Sequence, residues 1–140
     1  MNDMMKTLSG GTGLGADVRG PALVTAQGFG VRYDLDAASG VISNPDHDLY
    51  GETLSGRILV FNRPKGGVAA SWALADLKQR GLAPLAIICR TASPIFVQGA
   101  LFAGISLLHE LSEDPYAMIQ SGQHIAVYPR DGHVDILTRP

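Results

Sequence analysis

The sequence predicts a single α/β domain with mixed β-strands and two short crossover helices. Apolar runs at 58–61 and 85–89 flank a helix-like segment, and that strand–helix–strand order favours a right-handed crossover between parallel strands. Asp131-Gly132, set between apolar runs at 124–128 and 133–137, signals an antiparallel hairpin. Glycine is abundant, 17 of 140 residues, but scattered among apolar segments, which reads as tight turns in a strand-rich fold and not as low complexity. With 46% apolar residues the chain can bury one ordinary core.

Residues 1–18 mix Gly, Thr, Ser and Asp with little apolar periodicity and are expected to form a flexible N-terminal arm, leaving 19–140 as the domain. Residues 22–25 suit a short strand and 31–35 another, closed by the turn at 38–40. The stretch Asn44-Pro45-Asp46-His47-Asp48 is turn-forming. The strand at 58–61 follows the turn at 54–56. The clearest helix spans 67–80, with Val68, Trp72, Ala75 and Gln79 on one stripe and Ala69, Ala73 and Leu77 widening it. Its cations crowd the last turn, where they suit the helix dipole, and Gly81 stops it. The continuous apolar run at 85–89 suits a strand covered on both faces. Ser93 can cap a second helix with Pro94 as its first residue, ending at Gly104. A strand at 105–108, a helical turn at 114–118 and the hairpin complete the domain.

The charge balance excludes some functions. With 11 basic and 13 acidic side chains, nucleic acid is a poor default partner. No apolar run is long enough to span a bilayer, and the first residues lack the apolar stretch of a secretory signal, so the cytoplasm is the expected location. The single cysteine, Cys89, rules out an intrachain disulfide and reads as a small buried residue. His109, His124 and His133 show no metal-ligand spacing, and no metal site is expected in this chain. His47 either stabilises its turn or meets a ligand, and the first is expected.

The loop after the strand at 58–61 holds Asn62, Arg63, Lys65, Gly66 and Gly67 and opens the longer helix. Two cations beside free N–H groups at a helix start suit an anion, and Arg adds a two-pronged contact to a carboxylate. Spacing alone also permits solvated loop charges. Asn62 suits a polar group of a ligand or simply fixes the turn. Ser71, one helical turn after Gly67, is a candidate displaced base, or it bonds a carbonyl one turn back. Trp72 is expected in the core, the alternative being an interface anchor.

The succession Gly20 to Thr25, Asp34 to Gly40, Asn44-Pro45-Asp46-His47, Gly51, Gly56 to Phe61, Lys65-Gly66, Gly81 to Pro84 and Gly99-Ala100 resembles the small subunit of aconitase X over roughly residues 15–137. The resemblance implies a swivelling β/β/α domain of the aconitase small-domain type. It implies a large-subunit partner, which holds an iron–sulfur cluster, so that this chain carries no cofactor and is inactive alone. It also implies dehydration of a small anionic hydroxy-carboxylate, cis-3-hydroxy-L-proline in bacterial members and a phosphomevalonate in archaeal ones.

The family motif Phe-Pro-x-Gly-Lys/Arg-Gly-Ser corresponds to residues 61–67, which implies substrate contact at Lys65, Gly66 and Gly67 and adds to the anchor reading of Arg63, while Asn62 stands as a substrate-binding candidate on its own side chain. The motif's serine takes the proton, and Gly67 stands in its place; Ser93 stands where an acid usually precedes Pro94. The catalytic residue is therefore unassigned, with Ser71 as a candidate. The alternative is a non-catalytic anion-binding or regulatory domain of the same fold.

Overall fold

The structure, a computed structural model, describes residues 5–138. In chain order the elements are β1 (Lys6–Leu8), β2 (Thr12–Leu14), β3 (Val18–Val24), α1 (Val31–Asp34), β4 (Ile58–Phe61), α2 (Val68–Gln79), β5 (Ala86–Cys89), α3 (Pro94–Ala103), β6 (Ser106–His109), α4 (Pro115–Met118), β7 (His124–Tyr128) and β8 (His133–Ile136). The strands run β1-β8-β7-β3-β4-β5-β6-β2 in one eight-stranded sheet. β3, β4, β5 and β6 are mutually parallel, and α2 and α3 are the crossovers between them. β7, β8, β1 and β2 pair antiparallel.

Side chains alternate across a strand, so each central strand feeds two cores. Leu59, Phe61, Ile87, Cys89 and Leu107 pack with Leu74 and Leu77 of α2 and Phe96 and Ala100 of α3. Ile58, Val60, Ala86, Ile88 and Leu108 pack with Leu8, Ile125, Val127, Val134 and Ile136. The outer strands therefore fold back over the face opposite the helices, giving a β/β/α layering. Burying a side chain such as Phe61 or Ile88 contributes roughly 1.5–3 kcal/mol.

Several expectations hold in detail. Ser93 Oγ accepts the Phe96 N–H at 3.2 Å, Pro94 opens α3, and Gly104 closes it with a left-handed φ of 70°. The hairpin at Asp131-Gly132 joins β7 to β8. Among the described residues no helix is long and apolar enough to cross a membrane.

Three expectations are corrected. The flexible arm assigned to residues 1–18 lies outside the described residues over 1–4; over the rest it is two strands and the start of β3. β1 pairs with β8 and buries Leu8, and β2 pairs with β6. These three-residue strands carry no periodicity of their own, because their order comes from the strands they join. Residues 31–34 are a helical turn and not a strand: Asp34 reaches back to accept the Gly30 N–H at 2.8 Å, in the manner of a capping box. In α2 the buried residues are Ala70, Ser71, Leu74 and Leu77, while Val68 and Trp72 face outward. The apolar residues of α2 cover most of its circumference, so periodicity alone did not select the buried face.

Candidate functional site

Loops at the carboxyl ends of β3 to β6 share one edge of the parallel sheet, the usual location of ligand sites in α/β folds. The loop from Asn62 to Gly67 is fastened there by its backbone. The Asn62 N–H donates to Gln27 O (3.1 Å), the Phe29 N–H to Arg63 O (3.0 Å) and the Lys65 N–H to Phe29 O (2.9 Å). Gly30 permits this close approach, since a Cβ there would lie 2.9 Å from Lys65 Cβ. His47 braces the same segment from below. Its Nδ1 accepts the Leu49 N–H at 3.1 Å, which leaves Nε2 to donate to Gly28 O at 2.9 Å. His47 is buried and stabilises its turn.

Lys65, Arg63, Gly66 and Gly67 come together on one exposed surface. The Lys65 ammonium is 3.0 Å from Asp34 Oδ2 and 3.2 Å from Oδ1. Asp34 is 0% exposed. Burial pushes its carboxyl up, but hydrogen bonds from Asn44, Gly30 and Lys65, with the Lys65 charge, outweigh that and hold it below the usual carboxylate range. Arg63 has no side-chain hydrogen bond or ion pair among the described residues and projects from the loop. Asn62 sits at the base: its amide donates to Ala26 O at 3.3 Å, its Oδ1 is buried without a partner, and its carbonyl accepts the Arg90 N–H at 2.9 Å. It ties the loop to the end of β5.

Gly66 has a φ of 95°, and a Cβ there would meet Ala70 Cβ at 2.8 Å. Gly67 is the N-cap of α2 and offers no side-chain bond to the first turn, so the N–H groups of Val68 to Ala70 precede the first intrahelical acceptor. A Cβ at Gly67 would meet nothing within 4 Å. Ser71 lies behind this surface. It is buried, its Oγ donates to Gly67 O at 3.3 Å, and it packs on Gly99, where a Cβ would come within 2.7 Å of Ser71 Cβ. Of the two readings of Ser71, the bond one turn back is the geometry present.

Sequence reasoning missed Asp34 and Asn44 as members of this site. Asp34 precedes Lys65 by 31 residues, and Asn44 joins it by a side-chain bond of 2.8 Å across another loop. An acid inside the apolar stretch 31–35 was the available signal. The core expectation for Trp72 is also corrected. Trp72 is 61% exposed and stacks on Phe102, 62% exposed, with ring centroids 5.9 Å apart. With Val68, Ile95 and Gly99 they line an apolar groove of about 140 Å³ between α2 and α3, starting one residue after Gly67.

Among the described residues no group of three or more His, Cys, Asp or Glu is placed to hold a metal. Cys89 is fully buried, and burial pushes its thiol up to about 12. The described residues therefore offer no ligand set for an iron–sulfur cluster.

A family model described as the aconitase X swivel domain matches residues 7–136. The phosphomevalonate dehydratase small subunit of Pyrococcus abyssi is 33% identical over 128 residues, which is 91% of this chain and 96% of that protein. That of Thermococcus sibiricus is 36% identical over 122 residues, 87% of this chain and 92% of that protein. The crystal structure of Thermococcus kodakaraensis aconitase X in its holo-form superposes with a TM-score of 0.87 at 27% identity, over 95% of this chain and 99% of that one.

Proposed function

The chain belongs to the aconitase X swivel-domain family, and from that premise we propose that it is the small subunit of a hydro-lyase that dehydrates a small anionic hydroxy-carboxylate together with a large subunit. The relatives' names make phosphomevalonate the first substrate to assay; cis-3-hydroxy-L-proline, implied only by the sequence resemblance, is the second. The observation that carries this reading is the exposed loop of Arg63, Lys65, Gly66 and Gly67 at the uncapped start of α2.

Dehydration removes a proton from carbon and expels hydroxide, so it needs an anchor for the substrate's acid groups, a base and a dry site. This chain supplies the anchor: Lys65, the N–H groups opening α2, and Arg63 as a planar two-pronged donor. Closure of the swivel domain over substrate held mainly by the large subunit excludes water. Gly67 has no side chain to take a proton, so proton abstraction falls to a group outside this loop. The iron–sulfur cluster expected in the large subunit supplies help with the leaving hydroxide, and no residue of this chain is assigned to hold it.

The test is purification of the native chain with whatever binds it, followed by dehydration assays on both substrates. A larger iron-containing protein is expected to accompany the chain, with activity only in the complex. Dehydratase activity from the chain alone would overturn the proposal. Gly67 itself favours a second reading, a non-catalytic anion-binding domain. Gly67→Ser separates the two in the complex, because the open space at Gly67 accepts a side chain. A working enzyme should change its rate severalfold, whereas a non-catalytic domain shows no rate to change.

A further inference from the structure

We propose that Asp34 is a positioning residue that fixes the Lys65 ammonium for the substrate's acid group, an inference that rests on the anchor role of Lys65 argued above. Asp34 is 0% exposed and so does not meet a ligand itself. Its carboxylate is fully committed: Oδ2 takes the Gly30 N–H (2.8 Å) and Lys65 Nζ (3.0 Å), while Oδ1 takes Asn44 Nδ2 (2.8 Å) and Lys65 Nζ (3.2 Å). Three partners from three segments hold that group in one orientation.

Lys65 needs such a hold. Its long side chain has many rotamers, and the backbone bond that fastens Lys65 to Phe29 does not fix its ammonium. The ammonium has three hydrogens, and Asp34 approaches from the buried side only. The Lys65 side chain is still 42% exposed, which leaves donor capacity facing solvent. The buried carboxylate also offsets the ammonium charge at a distance. Lys65 then acts as an aimed hydrogen-bond donor, and long-range attraction falls to unpaired Arg63.

Asp34→Asn tests this, since the amide oxygen still accepts from Gly30. On the isolated chain labelled with ¹⁵N-lysine, the Lys65 Nζ signal is expected to be ordered in the wild type and averaged in the variant. In the two-subunit enzyme assayed on phosphomevalonate, Asp34→Asn is expected to raise KM about tenfold with kcat within about threefold. Asn44→Ala, which loosens the carboxylate without removing its charge, should raise KM about twofold and serves if Asp34→Asn does not fold.

The deciding comparison is Asp34→Asn in a Lys65→Ala background, where it is expected to add nothing, because it acts through the lysine. Additive losses would mean a general structural role and overturn the inference. So would an unchanged KM in Asp34→Asn where Lys65→Ala raises it. A Lys65→Ala enzyme with wild-type KM would remove the anchor reading itself, and this inference with it.

Discussion

Asp34 places a charged group with no exposure beneath a loop that faces solvent, and its hydrogen bonds decide both its ionisation and its contribution to stability. Because its folded carboxyl lies below the ordinary value of 3.8, its contribution is complete above about pH 4 and is lost as the pH falls through that value toward the folded one. The wild type should therefore exceed Asp34→Asn in stability by on the order of 1–3 kcal/mol at pH 6. That gap should narrow as the pH falls below about 4. Thermal melts of both proteins across this range check it; a gap independent of pH would mean that the carboxylate is not the stabilising species. The loop that carries Lys65 and Gly66 was legible from residue types and order as the connection between β4 and α2. Asp34 was not, because a salt bridge spanning a helical turn and a long loop leaves no mark in local spacing.

The loop-to-helix junction turns on two adjacent glycines that differ in the space around them. Gly66 is left-handed at φ 95° and abuts Ala70, so Gly66→Ala should cost about 1–2 kcal/mol from the backbone alone, before the clash is added. Gly67 has open space around a Cβ, but its φ of −124° and ψ of −133° lie outside the extended region from which an N-cap side chain bonds the first turn, so Gly67→Ser should change stability by no more than a few tenths of a kcal/mol. Urea unfolding is expected to show a clear loss for Gly66→Ala and little change for Gly67→Ser, and a stabilised Gly66→Ala would refute the assignment. The existence of α2 and its limits were readable from Gly67 and Gly81. Its buried face was not, since small apolar residues surround the helix and only the close crossing at Gly99 and Ser71 selects which side turns inward.

At the scale of the molecule, one side presents the loop proposed to bind the anion and, continuing from it, the apolar groove of Val68, Trp72, Ile95 and Phe102. A stacked, exposed Trp–Phe pair suits the face that meets the proposed large subunit. Trp72→Ala should weaken that association by roughly 2 kcal/mol, about 30-fold, while leaving the melting temperature of the isolated chain nearly unchanged. Titration of the two subunits by calorimetry measures it, and equal affinities would place the boundary elsewhere. The sequence by itself determined the parallel strand–helix–strand centre, the capped α3, the final hairpin and the loop between β4 and α2, because local propensity, turn chemistry and residue order are carried by neighbours along the chain. Tertiary structure alone decided that residues 6–8 and 12–14 are edge strands, that Trp72 faces outward and that Lys65 is held by Asp34. Each of these depends on partners distant in sequence, whose approach is set by sheet pairing and core packing.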